Sequence, residues 1–244
     1  MRNTQRDEFV RMATPGQLVQ VMADVLGVPS ATVFQYDRVL SENGLRSKSG
    51  RGTSAAKVTP RDAANLLIAL ATSPLFGMSA KDAIRNCHIY ASLISSATFH
   101  EWSKGFADFG LPTLSNLSNK HSFGEALAAL IDAAGKGETF RNPGKKYVTR
   151  RPQGFEIQFI GPEPSAQISA EATTDAGLSA RLIYSGAPRR KGKRYLMLAD
   201  FEKIPDLSQI SSVSFRTIRA LGILVSGGAA QSDAPNERQS RRAN

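Results

Sequence analysis

Four side chains in the stretch LVQVMADVLGVPSATVFQYDR carry the chemistry to read a base pair: Ser30, Thr32, Gln35 and Arg38. In a DNA major groove arginine pairs bidentately with guanine, glutamine pairs bidentately with adenine, and serine or threonine bonds to either. Asp37 is the only acid close to them. Catalytic chemistry has far less support. His88, His100 and His121 lie 12 and 21 residues apart, so no two share a turn of helix, and neither a zinc site nor a histidine relay is expected. GKGETF and RRKGKRY lack the Gly-x-x-x-x-Gly-Lys-Ser/Thr spacing of a phosphate loop, and GxSxG, HExxH and GxGxxG are all absent. Acids such as Glu163 and Glu171 have no spacing that demands catalysis. The expectation is a binding protein and not an enzyme, with no metal and no cofactor.

Two helices must hold these side chains outward. Pro15 opens the first, at a position where its missing N–H sacrifices no hydrogen bond. Leu18, Val19, Met22, Val25 and Leu26 then recur at helical spacing until Gly27 ends the run. VPSATVFQYDRVLSENG supplies the second helix, with Ser30 as its N-cap and Gly44 as its stop. Ala23 is small where the helices meet, Gly27 accepts a left-handed backbone in the turn, and Val33 plugs the gap, at intervals of 4 and 6. Met22, Leu26, Val28 and Tyr36 occupy the remaining inward positions. Phe34 points outward by helical phase, which suits a thymine methyl or a neighbouring helix.

RSKSGRGTSAAK, from Arg46 to Lys57, follows with four basic residues, two glycines and no acid, and reads as an exposed, flexible, positive loop. With this loop behind it, the Ala23–Gly27–Val33 pattern resembles the winged helix-turn-helix class of DNA-binding domains over residues of roughly 5–58. The resemblance implies that Ser30, Thr32, Gln35 and Arg38 belong to a recognition helix. It also implies that Arg46, Lys48 and Arg51 form a wing lying along phosphates or entering the minor groove. Only GLRS and SAAKV can serve as wing strands, so the wing reduces to a basic arm. Such domains pair as dimers, which here implies a homodimer spacing two helices about one DNA turn apart.

Composition agrees with a polyanionic partner. The 244 residues, enough for two domains of ordinary size, carry 31 Lys and Arg against 21 Asp and Glu, a net charge of +10 and a pI near 10.0. Cys87 is the single cysteine, which excludes an intrachain disulfide and points to a reducing cytosol. MRNTQRDEFVRMATPG has no apolar core of a signal peptide. The longest apolar run, AANLLIALA, is far short of the roughly 20 residues of a membrane span. A cytoplasmic protein with no membrane partner is expected.

The rest of the chain divides by texture. Helices are expected over 4–12, over Asp62 to Ala71 behind a Thr59 cap, from Ser79 to about Ser95, over 99–109, and from Ser122 to Ala134. In the 99–109 helix, Phe99, Trp102, Phe106 and Phe109 make a core or dimer face. Beyond Gly135, FEIQFIG, AQISAEA and ARLIYSG alternate at strand period, with Phe155, Ile157 and Phe159 on one face and Glu156 and Gln158 on the other. YLMLADF suggests a further strand, and 208–225 a closing helix. The basic stretches Arg141–Arg151 and Arg189–Arg194 extend a phosphate-binding surface or form solvated loops, with Tyr147 and Tyr195 beside them. The fold class is α+β, an N-terminal winged helix-turn-helix region plus a C-terminal α+β domain with a small antiparallel sheet. The expected units are 1–58 for DNA binding, 59–135 as a helical extension, 136–226 for oligomerisation or a protein partner, and a disordered tail at 227–244. The function expected is sequence-specific regulation of transcription on double-stranded DNA. The alternatives are a phage or mobile-element protein for DNA packaging or replication initiation, and a protein-binding anti-activator.

Overall fold

The structure is a computed structural model describing residues 13–48, 57–73, 80–95, 111–141, 148–149, 153–171, 179–185 and 209–227. The expected helices at 4–12 and 99–109, the YLMLADF strand, Arg51, most of both later basic stretches and nearly all of the tail lie outside the described residues. Among the described residues the chain is mixed helix and sheet, with seven helices and a five-stranded antiparallel sheet. No described helix is long and apolar enough to cross a membrane.

Each main helix begins where a side chain can replace the missing backbone partner of its first turn. Helix α1, Pro15–Leu26, starts on a Thr14–Gln17 capping box, and α3, Pro60–Ala71, on a Thr59–Asp62 box, both with proline in the first turn. Helix α2 spans Ser30–Glu42, α4 Ala80–Ala91 and the single turn α5 Pro112–Ser115. Helix α6, Phe123–Gly135, starts on a Ser122–Glu125 box. The Ser122 backbone N–H and then its hydroxyl bond the Glu125 carboxylate and hold it below the usual range. Helix α7, Phe215–Val225, follows directly on a strand.

The sheet runs β1 (Ile94–Ser95), β6 (Ser179–Ser185), β5 (Ser165–Glu171), β4 (Gln153–Gly161), β7 (Gln209–Ser214). The pair β2 (Phe140–Arg141) and β3 (Val148–Thr149) stands apart from it. Cross-strand register aligns the apolar positions read from the alternation: Phe159, Ala166 and Tyr184 form one row, and Val213, Ile157, Ile168 and Leu182 the next. All of these are buried, while Glu156 and Gln158 on the other face stay half-buried. Helices cover the buried face. Phe123 of α6 meets Phe159 and Tyr184 with ring centroids 5.5 and 5.3 Å apart, and Tyr90 of α4 donates its hydroxyl to the Ile160 carbonyl at 2.7 Å. The buried apolar side chains form one connected cluster from Ala13 to Leu221, so α1 and α7 share a core although they lie at opposite ends of the sequence.

Two sequence expectations are corrected here. Residues 208–225 are not one helix, because Gln209–Ser214 pairs with β4 as an edge strand and the helix starts only at Phe215. Serines and β-branched residues are poor helix formers, and a main-chain ladder satisfies their backbone equally well. Of the inward positions Gln209, Ser211 and Val213, only Val213 is buried and apolar, so no alternation announced the strand. The helix expected to reach about Ser95 ends at Ala91, freeing Ile94 and Ser95 to pair with Ser185 and Tyr184.

Candidate nucleic-acid interface

The corner between α1 and α2 follows from three residues. Ala23 is buried, letting α2 approach, and Gly27 closes α1 in the left-handed conformation with φ 66° and ψ 29°. Its N–H donates to the Ala23 carbonyl, as does that of Val28 at 3.2 Å. Val33 is fully buried, three residues into α2, beside Leu40, while Leu26, Val28 and Tyr36 pack partly buried against the same core. The Cβ of a larger residue at Gly27 would meet nothing within 4 Å. Gly27→Ala is therefore expected to cost only the left-handed backbone penalty, about 1 kcal/mol, with Gly27→Asn milder still; urea unfolding of the two variants checks this.

Packing on the Val33–Asp37–Leu40 face turns the opposite face of α2 outward. Ser30, Ala31, Phe34, Gln35 and Arg38 are exposed, Phe34 to 58%, and Thr32 is half-buried. The N-cap is Pro29, one residue before the expected Ser30, which opens the helix. Arg38 pairs with Glu42 one turn on at 2.8 Å, with side chains 70% and 55% exposed, so water already competes for both and the guanidinium is open to exchange partners.

Arg46 departs from its expected wing role. Its guanidinium Nε lies 2.7 Å from Asp37 Oδ1, with the two side chains only 9% and 6% exposed, so it faces the core. The contact is an ion pair without an aligned hydrogen bond between those atoms. Burial pushes the Asp37 carboxyl up; Arg46 opposes that shift and Asp62 adds to it. Asp62 itself accepts the Ser47 N–H at 2.7 Å, the Thr59 N–H at 2.9 Å and the Thr59 hydroxyl at 2.8 Å. Asn65 adds a bond from its amide to the Leu45 carbonyl at 2.6 Å. Chain positions 47 and 59 thus meet on one carboxylate, with Lys48 and Lys57 exposed just inside them. Arg51, the third expected wing residue, lies outside the described residues.

The candidate surface is thus Ser30, Gln35 and Arg38 around Phe34 on α2, with Thr32 at its margin and Lys48 beyond its C-terminal end. Asp37, Asp62 and Asn65 were not singled out by sequence. The signal was present for Asp37, since intervals of 4 and 3 put it in phase with Val33 and Leu40. Among the described residues no group of three His, Cys, Asp or Glu side chains is placed to hold a metal ion. Cys87 is buried against the Asn65 carbonyl and its thiol is pushed up to about 12, so it is no nucleophile at neutral pH. Comparison with known proteins found no family model, no curated protein and no solved structure that matches this chain.

Proposed function

We propose that this protein is a sequence-specific DNA-binding regulator of transcription whose α2 enters the major groove. The observation that carries the reading is the left-handed Gly27 corner, flanked by buried Ala23 and Val33, which presents Gln35 and Arg38 on one exposed helix face. Gln35 suits an adenine edge and Arg38 a guanine edge, Phe34 suits a thymine methyl, and Ser30 and Thr32 suit bases or phosphates near the helix start. Lys48, Arg51 and Lys57 add phosphate contacts from the basic segment. The net charge of +10 favours approach to DNA. The reading includes a homodimer, to set two copies of α2 about one DNA turn apart, and a place in the cytoplasm.

Fluorescence-anisotropy titration of duplex fragments from the protein's own locus, at about 50 and 200 mM salt, tests it. One fragment is expected to bind preferentially to wild type. Gln35→Ala with Arg38→Ala should abolish that preference, each lost bidentate pair being worth about 1–3 kcal/mol, and leave a salt-sensitive background. Equal preference in wild type and the double variant would remove α2 from base reading.

The 58% exposure of Phe34 favours one other reading, a protein-binding anti-activator that docks the same face on a partner. On that reading Phe34→Ser abolishes activity, while Gln35→Ala with Arg38→Ala leaves it unchanged.

A further inference from the structure

Far along the chain from α2, the junction of β7 and α7 borders an open cleft of about 590 Å³, within the size range of small-molecule sites. Its floor is aromatic. Phe155 and Phe215 meet edge to face with centroids 5.3 Å apart, and Phe140 stands behind them, 5.2 Å from Phe215. One wall has no side chain, because the β4–β5 register shifts between Gln153 and Glu156 and Gly154 takes φ 58° there. The opposite wall is a face of α7 formed by Arg216, Arg219, Ala220 and Ile223. No acidic residue lines the cleft, and Arg216 is exposed at its rim.

We propose that this cleft binds a small amphipathic carboxylate, its hydrocarbon body lying on Phe155 and Phe215 and its carboxylate on the guanidinium of Arg216. Charge complementarity selects the head: two arginines on an acid-free rim repel a cation, and a guanidinium takes a carboxylate through two parallel bonds. The aromatic floor selects the body, since a bare inorganic anion would leave that apolar surface wet. The site is independent of the DNA-binding reading. The other face of α7, with Ile218, Leu221 and Gly222 buried, packs on α6 and α1, so the ligand would sit on a helix that shares its core with the α1–α2 corner.

Isothermal titration of the full-length chain with sodium decanoate, below its micellar range, tests the site. Saturable binding at one site is expected. Arg216→Glu should weaken it at least about tenfold, because a hydrogen bond to a charged group carries that much, and decan-1-ol should bind more weakly than decanoate. Ala220→Trp, which fills the cleft, should abolish binding. Arg216→Glu alters only an exposed side chain, so its thermal unfolding should match wild type and its binding result stands even if Ala220→Trp fails to fold. Absence of saturable binding to wild type, equal binding of decanoate and decan-1-ol, or unchanged affinity in Arg216→Glu would each overturn the proposal.

Discussion

Gly222→Ala is expected to lower the stability of the chain by about 3 kcal/mol, the upper part of the range for overpacking a tight contact. Helices α6 and α7 cross with their backbones in contact. A Cβ on Gly222 would stand 2.6 Å from the Gly135 nitrogen, 2.7 Å from the Ile131 carbonyl oxygen and 2.9 Å from the Ala134 carbonyl carbon. Every one of these is a main-chain atom, so no side-chain rotation can relieve the clash and the helices must separate. The crossing is reciprocal, since a Cβ on Gly135 would lie 2.6 Å from the Gly222 carbonyl oxygen. Ordinarily alanine for glycine inside a helix gains up to about 1 kcal/mol, so the expected sign is inverted here. Gly16 in α1 is the control: a Cβ there meets nothing within 4 Å, and Gly16→Ala should be neutral or slightly stabilising. Urea unfolding of both variants decides the matter, and a Gly222→Ala chain as stable as wild type would mean that α6 and α7 do not cross at this pair.

Arg46→Ala is expected to cost about 3–5 kcal/mol at neutral pH, the range for stripping one partner from a buried ion pair. It leaves Asp37 buried with no cation, and Asp62 still adds to the repulsion. The pH dependence has a definite sign. The folded-state pKa of Asp37 lies above its unfolded value of 3.8, so the folded chain binds the proton more tightly. That contribution to stability is fully present below 3.8 and is lost as pH rises through the raised folded value. Without Arg46 the folded pKa climbs further, so the deficit against wild type should shrink toward pH 4 and grow as the solution is made neutral. Replacing both partners by apolar residues, Asp37→Leu with Arg46→Met, should recover most of the loss because no buried charge remains. Chemical unfolding across this pH range checks both expectations; a pH-independent deficit, or a double variant as unstable as Arg46→Ala, would contradict them.

How much was legible in the sequence depended on whether a feature was local. The alternation of Phe155, Ile157 and Phe159, the caps at Thr59 and Ser122, and the Gly27 corner each depend on neighbours within a few residues, and each took the expected form. The strand Gln209–Ser214 was not legible, because its pairing with β4 satisfies the backbone across about fifty intervening residues. The inward turn of Arg46 was hidden for a similar reason. A basic residue beside a basic loop reads as exposed unless the phase of Asp37 is weighed against it. The Gly135–Gly222 contact requires knowing which helices pack, and neither glycine announces the other. At the candidate surface the outward set of Ser30, Phe34, Gln35 and Arg38 followed from helical phase, while Thr32 proved half-buried and Arg46 committed elsewhere.

Selection of binding duplexes from a randomised pool, run in parallel for wild type and for Gln35→Ala with Arg38→Ala, tests most directly whether α2 reads bases. The predicted result is one enriched motif with wild type, two-fold symmetric if the protein binds as a dimer, and loss of its most constrained positions with the double variant. No enrichment with wild type, or the same motif with both proteins, would contradict base reading by α2 and leave Ala23, Gly27 and Val33 as a packing corner alone.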